Sequence, residues 1–402
     1  MINKNSTQPK RHCMVVHAHY PKGETRVQRQ AEALVRYGFE VDVLCLRGEN
    51  EPEREDCNGV QVLRLPVKYQ NHPRMTGKLL EYVRFFFQVM LKLFSLHLKR
   101  RYQTVQVHNL PDFLVFAAWW PKLLGAKVVL DLHDMMPEFF KGHYGGQEGS
   151  WVIRLLYLQE NLACRFANHV ILVSKLWQKT LEGRAPVAHK CSIVMNVADH
   201  TIFNNPKNPD ALTKNGAGLR LIYHGSMNYR YGIDLILKAV AQVRPQIPDI
   251  HLTLHGGGAA FPEYIKLAES LDLTEKNLCF STKSLPVEAL PDLIKSGDVG
   301  LGPYRNDPFT DEIVPTKLME YAALGMPTIA SRTSAIKAYF ENTMVEFFEP
   351  GDVDDLARCI LYLNQNRTRL AELARGAKTF NDQYNWEKVG QAYVQLIEQL
   401  GS

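Results

Sequence analysis

Two glutamates, Glu312 and Glu320, stand in DEIVPTKLMEYAALGMPTIAS with seven residues between them. The segment predicts a loop carboxylate followed by a helix that Pro315 opens at its first position, with Glu320 about one turn inside. Gly325 and Pro327 predict the end of that helix. A helix start carries unpaired N–H groups and partial positive charge, which bind phosphate groups. Two carboxylates beside a phosphate suit the hydroxyls of a phosphorylated sugar, and spacing alone leaves an ordinary solvated glutamate pair open.

Short apolar runs alternate with helical patterns along both halves of the chain. The predicted strands of the first half are HCMVVHAHY, FEVDVLCL, VQVLRLPV, TVQVHNL, AKVVLDLHD, HVILVSK and CSIVMN. Those of the second half are LRLIYHGS, IHLTLHGGG, NLCFSTK, VGLGPY, MPTIAS and VEFFEP. Strands that alternate with helices predict parallel sheets covered on both faces. We therefore expect an α/β fold of two doubly wound, Rossmann-like domains facing across a cleft, with ligands at the carboxyl ends of the strands.

The segment NNPKNPDALTKNGAG is rich in Asn, Pro and Gly and is the best candidate for a linker. We expect a first domain at 1–204 and a second domain at 205–383. The last segment, 384–402, contains the amphipathic pattern NWEKVGQAYVQLIEQL. It predicts a C-terminal helix that crosses back to pack on the first domain.

Composition narrows the class of protein. The 402 residues are 46% hydrophobic and 22% charged, which indicates a globular chain long enough to bury sizeable cores. Residues 1–205 hold 27 Lys or Arg against 18 Asp or Glu, whereas residues 206–402 hold 20 against 24. A basic first half suits nucleic acid, an anionic membrane or a phosphorylated ligand. No nucleic-acid motif accompanies it, so we expect no nucleic-acid partner.

Cysteines and the N-terminus bear on location. The seven cysteines lack CxxC or other metal-binding spacing, so we expect no metal site and reduced thiols in a cytoplasmic protein. The opening segment MINKNSTQPKRH has no apolar core, so we expect no signal peptide. The predicted location is the cytoplasm, with the inner face of the cell membrane as a second possibility.

Six segments follow one another along the chain in a specific order and spacing: HYPKGETRVQRQAEAL, VVLDLHDMMPE, VMNVADHTIF, YHGSMNYRYGIDLILKAV, LHGGG and LGPYRNDPFTDEIVPTKLMEYAALGMPTIAS. Together they resemble the retaining glycosyltransferases of family four, of the bacterial envelope and exopolysaccharide type, which have the GT-B fold. The resemblance spans nearly the whole chain. It implies a UDP- or GDP-sugar donor held mainly by the second domain and a glycan or lipid-linked glycan acceptor on the first. It also implies a retained anomeric configuration, no metal and no cofactor beyond the nucleotide-sugar co-substrate.

By the same resemblance, Glu320 accepts hydrogen bonds from the ribose hydroxyls and Glu312 lies against the hydroxyls of the transferred sugar. Main-chain N–H groups at 316–318 cap the diphosphate, Lys283 lies along the nucleotide base, and Gly23 lets the backbone approach the donor phosphate. The implied donor-binding set is Gly23, Gly225, Lys283, Thr316, Lys317, Leu318 and Glu320.

One departure concerns the diphosphate. Members of the family usually carry an Arg directly after the glycine at 225 and a Lys directly before the glycine at 232. Here those positions hold Ser226 and Tyr231. The adjacent Arg230 is predicted to restore the charge, because an arginine can bind phosphate in a bidentate manner. The alternative is a weakened or lost donor site, with Arg230 a solvated surface charge.

The predicted catalytic residues are His133, Glu312 and Arg230. His133 follows a strand in LDLHD and, by resemblance, contacts the transferred sugar or the acceptor hydroxyl; the alternative is a histidine bonded to backbone in a strand-end turn. Retention is expected through attack on the same face of the sugar, with a covalent Glu312–sugar intermediate as the alternative. The predicted acceptor-side residues are Arg26, Asn109 and Asp134.

The segment LLEYVRFFFQVMLKLFSLHLKRRY predicts a long helix with one polar stripe, formed by Glu81, Arg84, Gln88, Lys92, Ser95 and Lys99. Its charges interrupt it too often for a transmembrane span. From Lys68 to Arg101 there are eight Lys or Arg and one acid, which favours peripheral contact of 79–101 with an anionic membrane. A helix buried between the sheet and its neighbours is the alternative.

Two other classes of protein compete with a glycosyltransferase. A nicotinamide-dependent nucleotide-sugar oxidoreductase would share the doubly wound sheets, but HAHYPKGETR lacks the glycine fingerprint that such an enzyme needs. A non-catalytic nucleotide- or glycan-binding homologue with an impaired donor site stays open because of the residues at 226 and 231.

Overall fold

The computed structural model of the protein describes residues 9–67, 75–144, 148–213 and 218–402. The chain forms two compact units: unit 1 extends to Asn196 and includes Lys388–Ser402, and unit 2 is Val197–Glu387. The boundaries expected from sequence, 204/205 and 383/384, stay predictions. Parts of two sequence-based interpretations, Lys68 and Arg74 of the basic segment and 214–217 of the linker, lie outside the described residues.

Unit 1 is built on eight strands: β1 (Arg11–His19), β2 (Glu40–Leu46), β3 (Arg54–Cys57), β4 (Val60–Leu65), β5 (Thr104–His108), β6 (Lys127–Leu132), β7 (His169–Leu172) and β8 (Cys191–Ile193). They form one sheet in the order β3-β4-β2-β1-β5-β6-β7-β8, parallel throughout except for the antiparallel pair β3/β4. The central strands are buried almost end to end, as strands of a sheet covered on both faces must be.

The helices that connect these strands are α1 (Thr25–Arg36), α2 (Met75–Arg100), α3 (Trp119–Leu123), α4 (Met136–Tyr144), α5 (Trp151–Phe166) and α6 (Lys175–Glu182). Local sequence sets their ends. Ser150 and Ser174 cap α5 and α6 by accepting the N–H groups of Ile153 and Trp177. After α1 the chain turns at Gly38, whose φ of +84° favours glycine.

The predicted polar stripe of the long helix is wrong in part. Glu81 is only 4% exposed, and Gln88 and Lys92 are half-buried. The buried side of α2 is instead the i, i+4 series Glu81, Phe85, Val89, Leu93 and His97. Glu81 points inward because Lys78 donates to it at 2.7 Å and His17 lies 3.1 Å from it. None of the described helices is long and apolar enough to span a membrane.

Unit 2 has a six-stranded, fully parallel sheet made of β9 (Arg220–His224), β10 (His251–His255), β11 (Leu278–Ser281), β12 (Val299–Gly302), β13 (Thr328–Ser331) and β14 (Glu346–Phe348). Their order is β11-β10-β9-β12-β13-β14. The helices of unit 2 are α7 (Ile233–Val243), α8 (Phe261–Ser270), α9 (Leu290–Lys295), α10 (Thr316–Ala323), α11 (Ser334–Tyr339), α12 (Val353–Gln365) and α13 (Arg367–Gln383). One apolar core joins the sheet to α7, α12 and α13.

The last helix, α14 (Trp386–Gly401), lies almost entirely in unit 1. Buried Tyr393 on this helix donates a hydrogen bond of 2.7 Å to Gln106 on β5. The predicted fold class is confirmed: the protein is α/β, with two Rossmann-like units that each carry a parallel sheet.

Candidate functional site

The Glu312–Glu320 segment lies at the carboxyl end of β12 in unit 2. Glycines on β12 give α10 room to pack closely: a Cβ at Gly300 would lie 2.7 Å from the Tyr321 ring, and one at Gly302 would lie 2.7 Å from Leu318. The helix begins at Thr316, so Pro315 occupies the preceding cap position with extended dihedrals rather than the first helical position as predicted. Glu320 lies one turn inside the helix, as expected.

Lys317 was predicted only as one of seven donor-binding residues, and the sequence did not indicate that its side chain is buried. It is 8% exposed, and its ammonium lies 3.6 Å from the ring centre of Tyr223, 5.3 Å from that of Tyr304 and 5.6 Å from that of Tyr231. Burial lowers the pKa of Lys317 well below its usual range, and Glu320 opposes that shift. We call Lys317 with these three tyrosines the tyrosine box. The tyrosine box holds a basic nitrogen whose protonated form a nearby anion would stabilise.

The tyrosine box opens toward Gly225, which follows β9. A Cβ at Gly225 would lie 3.3 Å from the Lys317 nitrogen, and the φ of +115° there favours glycine. Directly before it, the His224 Nε2 lies 3.3 Å from a carboxylate oxygen of Glu320. Burial, with help from Lys317 and His255, lowers the pKa of His224 to about 3, so its ring is neutral at neutral pH. Two predicted donor residues, Lys317 and Gly225, are thus brought together, and Glu320 lies beside His224.

The loops after β9 and β10 touch through their backbones. A Cβ at Gly256 would lie 2.0 Å from the Gly225 carbonyl oxygen, and one at Gly258 would lie 2.7 Å from that of Met227. The N–H groups of Gly225 and Met227 donate to His255 and Gly257 at 2.9 Å each. The glycines of LHGGG therefore allow close passage of one loop over another, which fixes the backbone at Gly225.

Arg230 lies in a short turn, Tyr229–Tyr231, and its guanidinium lies 5.0 Å from the ring centre of Phe309. Phe309 precedes the turn Thr310–Glu312, which carries the half-buried Glu312. The structure thus brings Arg230 toward the Glu312 turn. Tyr231, which stands where the family has a lysine, contributes its ring to the tyrosine box instead.

Three predicted donor residues are placed less closely. Lys283 is exposed in the loop after β11, and Thr316 is exposed at the start of α10. The Leu318 N–H already donates to the Pro315 carbonyl at 3.1 Å, so the N–H groups of Thr316 and Lys317 are the better phosphate donors at this helix start. The roles of all three residues stay predictions.

Unit 1 carries a separate polar centre around Asp131 at the end of β6. Arg26 binds its carboxylate through two nitrogens, at 2.9 and 3.3 Å, and also donates to the Val194 carbonyl. Gln30 and Gln106 each donate to Asp131 at 3.0 Å. Burial opposes ionisation, but Arg26 and His108 hold the pKa of Asp131 well below its usual range. Arg26, predicted on the acceptor side, is 5% exposed and serves here as the counter-ion of Asp131.

His133 is held beside this carboxylate. Its Nε2 lies 2.9 Å from the His108 Nδ1 and 3.8 Å from Asp131, and its backbone N–H donates to Asn109 at 2.6 Å. Burial lowers the pKa of His133 to about 3, with His108 adding to the shift and Asp131 opposing it. Its ring is therefore neutral near pH 7 and can exchange hydrogen bonds with a hydroxyl group.

Asn109 organises the loop after β6. Its amide donates to the Asp134 carbonyl at 2.6 Å and to Asp112 at 2.9 Å. Burial, with Glu24 and Asp112 nearby, raises the pKa of Asp134 to about 7. Burial, together with the charge of Asp131, likewise raises the pKa of Glu24 to about 7, and Glu24 follows Gly23 with its φ of +88°. Gly23, Asn109 and Asp134 thus belong to the turns around His133.

One group of side chains in the described residues has ligand atoms close enough for a metal ion: His108, Asp131 and His133. Asp131 already accepts from a guanidinium and two amides there. An added cation would therefore have to compete with Arg26 for that carboxylate. These contacts suit a hydrogen-bonded network better than a metal centre.

Four strand residues of the two centres were not among the predicted ones: His108, Asp131, His224 and Tyr223. Each lies on a strand at or next to its carboxyl end, which is the signal that could have found them. Their side-chain partners come from distant parts of the chain and were not visible in the sequence.

The two polar centres differ in chemistry. The unit 2 centre combines a helix start, a buried basic nitrogen and two carboxylates, which together can hold an anion that also bears hydroxyls. The unit 1 centre offers a neutral imidazole backed by an ionised, fully bonded carboxylate, which can orient a hydroxyl.

Two family models match the chain. Residues 23–196 match that of a glycosyl transferase 4-like domain, and residues 204–380 match that of glycosyl transferases group 1. A putative teichuronic acid biosynthesis glycosyltransferase of Bacillus subtilis is 23% identical over 53% of this chain and 51% of its own length. The chain spans about half the length of the first curated relatives it matches.

Solved structures match the fold over nearly the whole chain. A sucrose-phosphate synthase from Thermosynechococcus elongatus is 18% identical, covers 97% of this chain and 99% of its own, and has a TM-score of 0.76. Anabaena HepE in complex with UDP-glucose is 16% identical, covers 97% and 99%, and has a TM-score of 0.70. At these identities the likeness is one of fold.

Proposed function

Since the chain belongs to the family-four type of GT-B glycosyltransferases, we propose that it transfers a sugar from a UDP- or GDP-sugar to a glycan or lipid-linked glycan, with retained anomeric configuration, in polysaccharide biosynthesis. The observation that carries the proposal is the tyrosine box, where a buried lysine meets the start of α10 and the glycine at 225. The similarity to the putative Bacillus glycosyltransferase and to Anabaena HepE, which was solved with UDP-glucose, supports it.

The donor diphosphate binds, in this proposal, between the Lys317 ammonium and the N–H groups of Thr316 and Lys317. The usual cations at 226 and 231 are absent, and the Lys317 nitrogen lies 3.3 Å from where a Cβ at Gly225, directly before position 226, would stand. A diphosphate would restore the proton that burial disfavours on Lys317, because an opposite charge nearby favours the charged form. Lys317 therefore compensates for the departure at these positions, with Arg230 as a second cation.

The remaining donor contacts follow from position. Glu320, one turn into α10 and 3.3 Å from neutral His224, accepts the ribose hydroxyls. Glu312 faces the transferred sugar, and Lys283 lies along the base. Gly225, held by the loop after β10, brings its backbone close to the phosphates.

Breaking the glycosyl–phosphate bond places negative charge on the departing diphosphate and positive charge on the sugar ring. Lys317, Arg230 and the start of α10 stabilise the leaving group where its charge develops. The acceptor hydroxyl attacks on the same face, and the departing phosphate takes its proton; a covalent Glu312–sugar intermediate is the alternative. His133, positioned by Asn109 and Asp131, orients the acceptor or the sugar, with Asp134 in the same turn.

No step in this scheme calls for a metal ion, since protein cations and N–H groups neutralise the diphosphate. Transfer should therefore proceed undiminished after chelation with EDTA. A complete loss of transfer that Mg²⁺ or Mn²⁺ restores would contradict this part of the proposal.

The test of the function is a screen for donor hydrolysis across a panel of UDP- and GDP-sugars, followed by kinetics on the donor it identifies. Glu320→Ala should raise the donor KM strongly, because it removes a ribose contact, whereas Arg230→Ala should mainly lower kcat. Lys337→Ala, an exposed lysine on α11, is the matched control and should leave both constants unchanged.

The competing function is a non-catalytic homologue that has lost its donor site. Isothermal titration with UDP and GDP separates the two. Binding of one nucleotide that Glu320→Ala weakens supports the enzyme; absence of binding by both nucleotides favours the non-catalytic protein.

A further inference from the structure

Exposed large apolar side chains are concentrated on one group of helices in unit 1. Of the seventeen such side chains found exposed in the described residues, thirteen lie on α2, α3 and α5 or directly after α3. Soluble proteins rarely gather so many on neighbouring elements without a partner.

On α2 the outward stripe runs through Leu80, Arg84, Phe87, Leu91, Ser95 and Leu98, all exposed. Steps of three and four residues place them on one side of the helix. Leu91 is 67% exposed. Four of the six are apolar, so the side of α2 turned to solvent is the apolar one.

A second stripe runs along α5 through Trp151, Arg154, Leu155, Leu158, Leu162 and Arg165, all exposed. Trp151 is 76% exposed. The short helix α3 lies between the two long ones: its Trp120 ring is 5.5 Å from Phe94 of α2, and its Trp119 ring stacks at 5.8 Å on Phe166 of α5. Both tryptophans are themselves about half exposed.

The exposed charges on these three helices are all positive. They carry eight Lys or Arg and two acids, and both acids, Glu81 and Glu160, are buried. Some of the basic groups are engaged within the unit: Lys92 pairs with Glu53, and Arg100 with Glu40 and Asp42. Arg84, Lys99, Arg154 and Arg165 are exposed.

We propose that the outward sides of α2, α3 and α5, here called the basic apolar face, dock unit 1 on the surface of an anionic lipid bilayer. Tryptophan favours the boundary between headgroups and acyl chains, leucine enters the apolar layer, and arginine and lysine meet anionic headgroups. Two copies of the chain meeting through this face would oppose like charges, which disfavours self-association. The proposal extends the expected contact of 79–101 to two further helices, and it does not depend on the enzymatic activity.

The first test is flotation with vesicles of phosphatidylcholine alone or mixed equally with phosphatidylglycerol. The wild type should float with the mixed vesicles. Trp151→Gln combined with Leu158→Gln should weaken partition to the mixed vesicles by about tenfold or more, because two exposed apolar side chains that would enter the bilayer are lost. Tyr37→Gln with Tyr362→Gln, which removes exposed rings outside the face, is the matched control and should float as the wild type does.

The charge component is tested by Arg154→Gln with Arg165→Gln. This variant should partition to the mixed vesicles about tenfold more weakly and lose part of its sensitivity to salt, because Arg84 and Lys99 remain. Lys266→Gln with Lys276→Gln removes two exposed lysines of unit 2 and should change neither. Lys92 and Arg100 are poor choices for such a test because they pair within unit 1.

Fluorescence supplies a measurement of depth. Trp119, Trp120 and Trp151 are exposed, whereas Trp177 and Trp386 are buried at 3% and 4% exposure. Lipids brominated on their acyl chains should quench the first three only. The combined variant Trp119→Phe, Trp120→Phe and Trp151→Phe should lose the quenching while it keeps its thermal unfolding midpoint.

Equal flotation of the wild type and the Trp151/Leu158 variant would overturn the proposal, as would an absence of quenching. Light scattering without lipid tests whether a second copy of the chain covers the basic apolar face instead. A wild-type dimer that the Trp151/Leu158 variant abolishes would show that this face is a dimer interface and would overturn the membrane proposal.

Discussion

At the scale of single residues, Lys317 has an unusual environment. Its ammonium lies against three tyrosine rings, and burial lowers its pKa well below the usual range. Cation–π contact partly offsets the loss of hydration, but a bound anion would offset it more fully. Lys317 therefore couples protonation to ligand binding.

We expect nucleotide binding to take up a proton. Burial depresses the pKa of Lys317, and the charge of a bound diphosphate raises it, so at a pH between the two values a proton is taken up with the ligand. Titration calorimetry with UDP or GDP in two buffers of different ionisation enthalpy measures this uptake.

Lys317→Met should abolish the uptake, and it should lower kcat by about 10²–10³, the usual cost of one electrostatic donor. Lys337→Met is the control and should retain both. Unchanged proton uptake in Lys317→Met would show that another group titrates.

At the scale of secondary-structure elements, function depends on how closely the strand-end loops of unit 2 approach. Gly256 has a φ of +132°, which L side chains rarely adopt, and its missing side chain leaves room for the Gly225 carbonyl. The neighbouring Gly257 has open space around it. The pair offers a controlled comparison within one loop.

Gly256→Ala should destabilise unit 2 by about 1–3 kcal/mol from backbone strain alone, and the clash with Gly225 adds to that cost. It should also weaken nucleotide binding by displacing the loop after β9. Gly257→Ala should change neither. Urea unfolding and nucleotide titration check both effects, and equal behaviour of the two variants would contradict the close-approach argument.

At the scale of the whole molecule, buried titratable groups gather in unit 1. Burial lowers the pKa of His12 and His133 to about 3 and that of His17 and His169 to about 4. Burial also raises the pKa of four carboxyls, to about 6 for Asp112, 7 for Glu24 and Asp134, and 8 for Glu160.

The buried histidines and the buried carboxyls change the stability of unit 1 with pH in opposite directions. The histidines stay neutral when folded, so they cost stability as the pH falls below about 6.5. The carboxyls bind protons more tightly when folded, so they cost stability as the pH rises from about 4 through their raised pKa values. The two trends offset each other between these limits, and above about 6.5 only the carboxyls act.

Unit 1 should therefore lose stability between about pH 6.5 and 8. Hydrogen exchange of peptides from β5 and β6 measures this at each pH. Asp134→Asn should flatten the decline, whereas Glu49→Gln, at an exposed carboxylate, should leave it unchanged. A stability that rises over this range would contradict the assignment.

Sequence patterns predicted thirteen strands of the two parallel sheets, because central strands of such sheets are apolar runs with clear boundaries. They missed β3, whose first three residues, Arg54, Glu55 and Asp56, are charged and exposed at a sheet edge. They also misjudged α2: hydrophobic periodicity assumes that polar side chains face water, but Glu81 is paired with Lys78 beneath the surface.

The chain by itself determined the alternation of strands and helices, the family resemblance and the position of the Glu312–Glu320 segment, since these depend on local propensity and on spacing along the chain. Only the tertiary structure decided that Lys317 lies among three tyrosines, that Arg26 neutralises Asp131, and that α2, α3 and α5 turn apolar stripes outward. Each of these depends on side chains that are far apart in sequence and meet through packing, and packing sets burial, which in turn sets charge.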